Sequence, residues 1–240
     1  MNMIQNRKLF FRDLGVLEYT KAFEIQEELM QSIIALKTKN RDRTDGIYEE
    51  TPNHFLFVEH PHVYTLGKSG DEHNMLANSE MLEKINATFV KTNRGGDITY
   101  HGYGQVIGYP ILDLDNFKSD IHLYMRNLEE VIIKTIAEYG LKGERSEGET
   151  GVWLDVGTPY ARKICALGVK TSRWVTMHGL GMNVNTDLRY FDYIIPCGIK
   201  DKAVTSLKRE IERELSPEEV EDFKGKLKTH FCDVFDAQFI

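Results

Sequence analysis

Cysteine is scarce in this 240-residue chain, and its three cysteines, Cys165, Cys197 and Cys232, form no CxxC pair. An odd count without paired spacing argues against a disulfide framework and against a zinc knuckle, but leaves room for a single reactive thiol. Long apolar runs are missing too, and nothing approaches the roughly 20 residues that a membrane-spanning helix needs. The first residues, Met1 to Lys8, lack the apolar segment and small-residue cleavage site of a signal peptide. These absences predict a soluble, cytoplasmic protein. No GxxxxGK[ST] run occurs, so there is no P-loop, and His60, His62, His101 and His178 do not share the spacing of a helical HExxH site. No metal ligand is therefore assigned. Positive charge is not in excess either: 30 Lys and Arg against 37 Asp and Glu give a net charge of −7, which disfavours a general nucleic-acid binder.

What is present fits a chain that buries a core, with 41% hydrophobic and 10% aromatic residues. No repeat, low-complexity segment or linker divides it, so a single domain over residues 1–240 is expected. A strand at Leu9–Arg12 precedes Glu18–Lys37, where Ala22, Ile25, Leu29, Ile33 and Leu36 recur at helical spacing. The polar stretch Thr38–Asn53 reads as a mobile loop. Strands are expected at His54–Glu59, Val63–Gly67, Ala87–Thr92, Gln105–Leu114, Gly151–Val156, Lys163–Lys170 and Arg173–Asn185. Asn78 and Asp120 are suited to cap helices running to Lys84 and Tyr139, with Gly140 placed to end the second. Ser216-Pro217-Glu218-Glu219 has the capping-box spacing for a last helix reaching about Phe235. The fold class is α/β (α+β): a mixed or antiparallel β-sheet system flanked by a few helices.

Charge is unevenly spread. Val156–Thr186 contains no acid but carries Arg162, Lys163, Lys170 and Arg173, whereas Lys208–Asp222 holds seven acids. A locally basic surface on an acidic protein suits an acidic protein partner or an anionic ligand; a solvated basic hairpin is the equally simple alternative.

Three stretches carry chemistry. In Arg94-Gly95-Gly96-Asp97-Ile98-Thr99-Tyr100-His101-Gly102, paired glycines let backbone approach a ligand closely, Arg94 adds a fixed cation, and the alternation after the turn makes two distinct strand faces. A plain hairpin would use the same residues. In Pro196-Cys197-Gly198 a thiol sits at a sharp turn and not inside an apolar element as Cys232 does; a nucleophilic cysteine needs such exposure and a nearby cation, although most thiols in such a setting are inert. In Lys163-Ile164-Cys165-Ala166-Leu167-Gly168, strand alternation puts Lys163 and Cys165 on one face and Ile164 and Ala166 on the other. Lys163 can activate Cys165 or Cys197, and spacing does not choose between them. His178-Gly179-Leu180-Gly181 opens a second glycine-flanked turn, with His178 more suited to a structural role than to a ligand.

Taken in order, these motifs, with Gln105, Asn183-Val184 and a Cys197 that follows Lys163 by 34 residues, resemble the lipoyl(octanoyl) transferases. The resemblance runs from about His54 to Leu207. It implies the catalytic fold of biotin and lipoate protein ligases, a mixed α/β domain with a large central sheet and a small one. It implies transfer of an octanoyl (or lipoyl) group from acyl carrier protein, whose phosphopantetheine bears the acyl chain, to a lysine on lipoyl domains of 2-oxoacid dehydrogenases and the glycine cleavage H protein. The family nucleophile falls on Cys197 and its activating lysine on Lys163, with a thioester acyl-enzyme between two half-reactions. Substrate contacts fall on Arg94, Gly95, Gly96, Asp97, Ile98, Thr99, Tyr100, His101, Ala166, Leu167, Gly168, Gly179, Leu180 and Gly181. No bound cofactor, ATP or metal is implied, nor a nucleic-acid or membrane partner, and a monomer is the default. Two positions depart from the family pattern: Tyr103 stands where Pro is usual after His-Gly, and Gly181 where Ala is common.

Overall fold

The computed structural model describes residues 5–44, 47–195 and 203–240. Cys197 lies outside the described residues, as does the whole of 196–202.

Alternation along the β-strands decides the layering. In β2 (Asn53–Glu59) Phe55 and Phe57 point one way and Leu56 and Val58 the other, and all four are buried. A strand buried on both faces needs a layer on each. One layer is α1 (Tyr19–Asp42), whose Ala22, Met30 and Ile33 pack on Leu56, Val58, Ile107, Ile111 and Met177. The other is formed by α3 (Ile121–Ala137) and α5 (Pro217–Phe235), which bring Leu128, Ile132, Leu227 and Phe231 onto Phe55, Phe57, Leu180 and Met182. Truncating a side chain such as Phe55 to Ala would cost about 3–5 kcal/mol.

Among the described residues, eight strands make a mixed sheet in the order β10-β8-β9-β6-β2-β1-β11, with β7 also on β8. Its members are β1 (Lys8–Val16), β2, β6 (Gln105–Ile111), β7 (Val152–Leu154), β8 (Arg162–Ser172), β9 (Val175–Asn183), β10 (Ala203–Val204) and β11 (Gln238–Phe239). A three-stranded sheet, β4 (Thr88–Lys91), β3 (Val63–Leu66) and β5 (Ile98–His101), stands apart with its own apolar cluster around Tyr64, Ile98 and Tyr100. A large and a small mixed sheet flanked by helices is the architecture expected from the sequence.

The caps are where the sequence places them. Asn78 accepts from the Met81 amide at 2.9 Å to open α2 (Ser79–Lys84), Asp120 accepts from Leu123 at 3.0 Å, and Ser216 forms both bonds of a capping box with Glu219. Two expectations change. The stretch Thr38–Asn53 is not loop throughout, because α1 continues to Asp42 and β2 starts at Asn53. Its polar residues hold the returning chain: Asn40 exchanges two hydrogen bonds with the Glu49 backbone and Lys39 pairs with Glu49 at 2.6 Å. The strand expected from Arg173 begins at Val175, because Arg173 and Trp174 form the two-residue turn between β8 and β9, both with left-handed φ (49° and 63°).

Candidate active site

A cavity of about 510 Å³ lies between the small sheet and the β8–β9 region of the large one, within the usual range for small-molecule sites. All fourteen candidate substrate-contact residues, from Arg94 to His101, Ala166 to Gly168 and Gly179 to Gly181, line it, and so does Lys163.

The glycine turn is tied down from both sides. The buried Arg94 guanidinium donates to the Thr65 carbonyl at 2.6 Å, to the Thr65 hydroxyl at 2.9 Å and to the Gly95 carbonyl at 3.0 Å. Arg94 is thus a brace between the turn and β3. On the other side the Gly95 amide donates to the Val169 carbonyl at 2.9 Å, which fastens the turn to β8.

A hydrogen-bonded relay crosses the cavity wall. His101 meets Gln105 Oε1 through Nδ1 at 3.1 Å, and Gln105 Nε2 donates to Asn183 Oδ1 at 2.9 Å. Asn183 Nδ2 then donates to the Thr205 carbonyl at 3.0 Å, while the Thr205 amide donates to the carbonyl of Lys163 at 2.9 Å. Burial pushes His101 and His178 on this wall down to about 3, with Arg94 adding its charge against both, and pushes His60, which meets the wall residue Tyr109 at 2.8 Å, down to about 4. All three are neutral at pH 7.

His178 is not at a turn. It lies within β9 with φ 61°, a left-handed conformation rare for a non-glycine residue in a strand. The local twist turns its amide out of the strand to the buried Gln26 Oε1 of α1 at 2.8 Å, and its Nε2 meets Asn93 Oδ1 at 2.9 Å. A strained residue held by two partners is characteristic of functional sites.

Strand alternation misplaces Lys163. The pairing of β7 with β8 slips between Val152–Cys165 and Trp153–Lys163, leaving Ile164 as an extra residue. Ile164 and Cys165 consequently both enter the core cluster under α3, while Lys163 lines the cavity with Ala166 and Gly168. Lys163 and Cys165 do not share a face. Cys165 is fully buried and its burial pushes the thiol pKa up, away from the reactive range, despite the nearby Lys163 charge. The Lys163 ammonium sits 4.6 Å from the centre of the Trp153 ring.

Both flanks of the segment that contains Cys197 reach this cavity, since Phe191 and Val204 line it. Before the segment, the turn Leu188–Tyr193 is fixed to the small sheet: Tyr64 donates to the Tyr190 carbonyl at 2.8 Å, Tyr190 stacks on His62 at 4.1 Å, and the Ile195 amide donates to Asn74 at 2.8 Å. After it, Ala203 and Val204 pair with Arg162 and Lys163.

The lipoyl protein ligase A/B catalytic domain matches residues 18–231 of the chain. A protein called octanoyltransferase from Christiangramia forsetii is 60% identical over 234 residues, which cover 97% of this chain and 98% of its own. The chain belongs to the lipoyl(octanoyl) transferase family. A second octanoyltransferase, from Flavobacterium psychrophilum, is 59% identical, covering 98% of this chain and all of its own. The fold is also that of a bipartite lipoate protein ligase from Thermoplasma acidophilum, at a TM-score of 0.66, 17% identity, and coverage of 99% of this chain and 86% of the other.

The two departures from the lipoyl(octanoyl) transferase pattern differ in consequence. Tyr103 is half exposed and meets His62 edge-on at 5.1 Å, outside the cavity lining. Gly181 lines the cavity, and a Cβ there would stand 3.3 Å from His101 Cε1. The segment Val156–Thr186 is less available as a basic face than its sequence implies, because Arg162 is held by Glu210 at 2.5 Å and by Asp155, and Lys170 lies 3.8 Å from Glu27. Lining residues that the sequence does not single out include Tyr19, Tyr109, Met125 and Gly148 to Thr150, while Gln105 and Asn183 enter only as part of the motif set and not as site residues. Gln105 and Asn183 carried a signal as polar residues at the ends of apolar strands; Tyr19, Tyr109 and Met125 read as ordinary core positions.

Proposed function

We propose that this chain is an acyltransferase that moves an octanoyl (or lipoyl) group from acyl carrier protein to a lysine of lipoyl domains of 2-oxoacid dehydrogenases and the glycine cleavage H protein, through a thioester on Cys197. The observation that carries this reading is the convergence of Lys163, the glycine turn and both flanks of the Cys197 segment on one cavity. The names of the 59–60% identical relatives support octanoyl transfer.

In the first half-reaction the Lys163 ammonium stabilises the Cys197 thiolate, lowering its pKa from about 8.5. The thiolate adds to the carrier thioester carbonyl, the tetrahedral adduct collapses, and the departing phosphopantetheine sulfur takes a proton from Lys163. In the second, neutral Lys163 accepts a proton from the acceptor lysine as its amine attacks the acyl-enzyme. Amide forms, the Cys197 thiolate is released, and the ion pair is restored. Exchange of one thioester for another is close to isoenergetic and amide formation is downhill, so neither half needs ATP. Neutral histidines on the wall suit an uncharged acyl chain.

Intact-mass measurement after incubation with octanoyl-acyl carrier protein, without ATP, tests the reading. The wild type is expected to gain one octanoyl group that hydroxylamine removes, and Cys197→Ala to gain none. An unmodified wild type that instead consumes ATP with free octanoate would replace the thioester by an acyl-adenylate.

A further inference from the structure

Glu129 is a carboxylate with no exposed surface in the middle of α3. Burying a carboxylate costs several kcal/mol unless it is well paired, and an apolar residue of similar size would serve stability as well. Its partners show what it holds. One oxygen accepts from the Gly151 amide at 3.1 Å; the other accepts from Arg145 Nε at 3.1 Å and meets Arg126 Nη1 at 3.0 Å. Arg145 also donates to the Arg126 carbonyl at 3.0 Å and to Glu130 at 2.6 Å. One carboxylate thus fastens both ends of the segment 145–151.

That segment forms part of the cavity. Gly148, Glu149 and Thr150 line it, as does Met125, one helical turn before Glu129. Gly151 has φ 119°, and a Cβ there would stand 2.6 Å from the Cys165 carbonyl and 3.4 Å from both Cδ and Cε of Lys163. The residue bound to Glu129 therefore lies against the aliphatic stem of Lys163. The ammonium of that lysine stands 4.6 Å from the centre of the Trp153 ring.

We propose that Glu129 is a positioning residue for Lys163: it holds Gly151 and the segment 145–151 against the lysine stem and so fixes where the ammonium stands in the cavity. The proposal rests on the role given to Lys163 above. It explains why a buried charge sits in a helix whose other buried positions are mainly apolar. It also explains why Arg145 is bonded three ways for a segment of a few residues.

The test uses the full chain with Glu129→Gln and Glu129→Leu, and Arg145→Met as a variant that releases one end of the segment while leaving Glu129 paired to Arg126. Arg126 and Arg145 are partly exposed and can turn to solvent when the carboxylate is removed. Three quantities are read: the thermal midpoint, the rate of octanoyl-thioester formation from octanoyl-acyl carrier protein, and the pH profile of iodoacetamide alkylation at Cys197, resolved from Cys165 and Cys232 by peptide mapping. Folded variants are expected to acylate about 10–100-fold more slowly, as for a catalytic group displaced by about an ångström. Their alkylation midpoint is expected to rise by about one pH unit, as when a cation is moved away from a thiolate. Folded variants with wild-type rate and wild-type midpoint would overturn the proposal, as would rates that fall only with the folded fraction while the midpoint stays put. If Glu129→Leu does not fold, Glu129→Gln and Arg145→Met decide by the same readings. A wild type that forms no adduct at Cys197 overturns the thioester chemistry and this role with it, whereas a wild-type adduct with unaffected variants overturns this role alone.

Discussion

The glycine-turn end of the cavity and its Lys163 end are built from opposite materials. At the first, every polar group is buried, neutral or braced: Arg94 is engaged by Thr65 and Gly95, His101 by Gln105, and His178 by Asn93 and, through its backbone, Gln26. At the second, a lysine ammonium stands beside an aromatic ring, a segment tethered by a buried carboxylate, and the flanks of the chain segment that carries Cys197. One end offers an uncharged chain neutral histidines and an arginine already engaged by hydrogen bonds, while the other holds a lysine ammonium, the charge that the proposed thiol chemistry needs. On the mechanism proposed above, the two motifs have separate roles. The arginine and histidines of the first hold shape, and the lysine of the second holds charge.

The comparison breaks most sharply at Lys163. Lys163→Met keeps a stem beside Gly151 but removes the ammonium, which on the proposed mechanism carries the proton in both half-reactions. Octanoyl transfer is expected to fall about 10³-fold or more, general acid–base and thiolate-stabilising contributions being 10²–10⁴-fold in size. The thermal midpoint should move little. Single-turnover assays with octanoyl-acyl carrier protein check this, and a variant within tenfold of wild type would place the charge elsewhere. Cys165→Ala, by contrast, is expected to transfer normally, since that thiol is packed under α3 and not in the cavity.

At the other end the expected effect is on stability. His60, His101 and His178 have folded pKa values depressed to about 4, 3 and 3, below the unfolded value near 6.5. Between those limits the unfolded chain binds more protons, so stability is full above pH 6.5 and falls as pH drops toward 4. Each histidine contributes a slope of at most about 1.4 kcal/mol per pH unit. His101→Asn, whose amide can still donate to Gln105, should flatten the profile by one such increment. Urea titrations at pH 7, 6 and 5 measure it, and an unchanged slope would mean that His101 is protonated in the fold.

Much of this was legible because local chemistry and tertiary structure agree. Asn78, Asp120 and Ser216 cap helices by bonds that span three residues, and such bonds are visible in sequence. The division of Phe55 and Phe57 from Leu56 and Val58 likewise follows from strand geometry. What failed was alternation at special backbone. An extra residue opposite Trp153 reversed the side expected for Lys163 relative to Cys165, and the left-handed φ of His178 put a supposed turn inside a strand. Neither leaves a compositional trace, because both are fixed by partners on other elements, β7 in one case and Gln26 of α1 in the other. The braces show the same limit: Arg94 reads as a cation available to a ligand until Thr65 is seen beside it.

The smallest expected effect sharpens the boundary between the two ends. Gly181 sits on the cavity wall where a Cβ would approach His101 Cε1 and Nδ1 at 3.3 and 3.4 Å, closer than most side-chain contacts but not a collision. Gly181→Ala therefore requires His101 to yield by a few tenths of an ångström, and His101 is held by Gln105. If the acyl tail runs to this wall, the added methyl occupies space that its last carbons use. One methylene in an apolar pocket is worth about 1–3 kcal/mol; with His101 able to yield partly, a shift of no more than about tenfold toward hexanoyl over octanoyl donors is expected. Competition between hexanoyl- and octanoyl-acyl carrier protein measures the ratio directly. An unchanged ratio with an unchanged rate would place the end of the chain away from His101, toward Tyr19 and Tyr109 on the same wall.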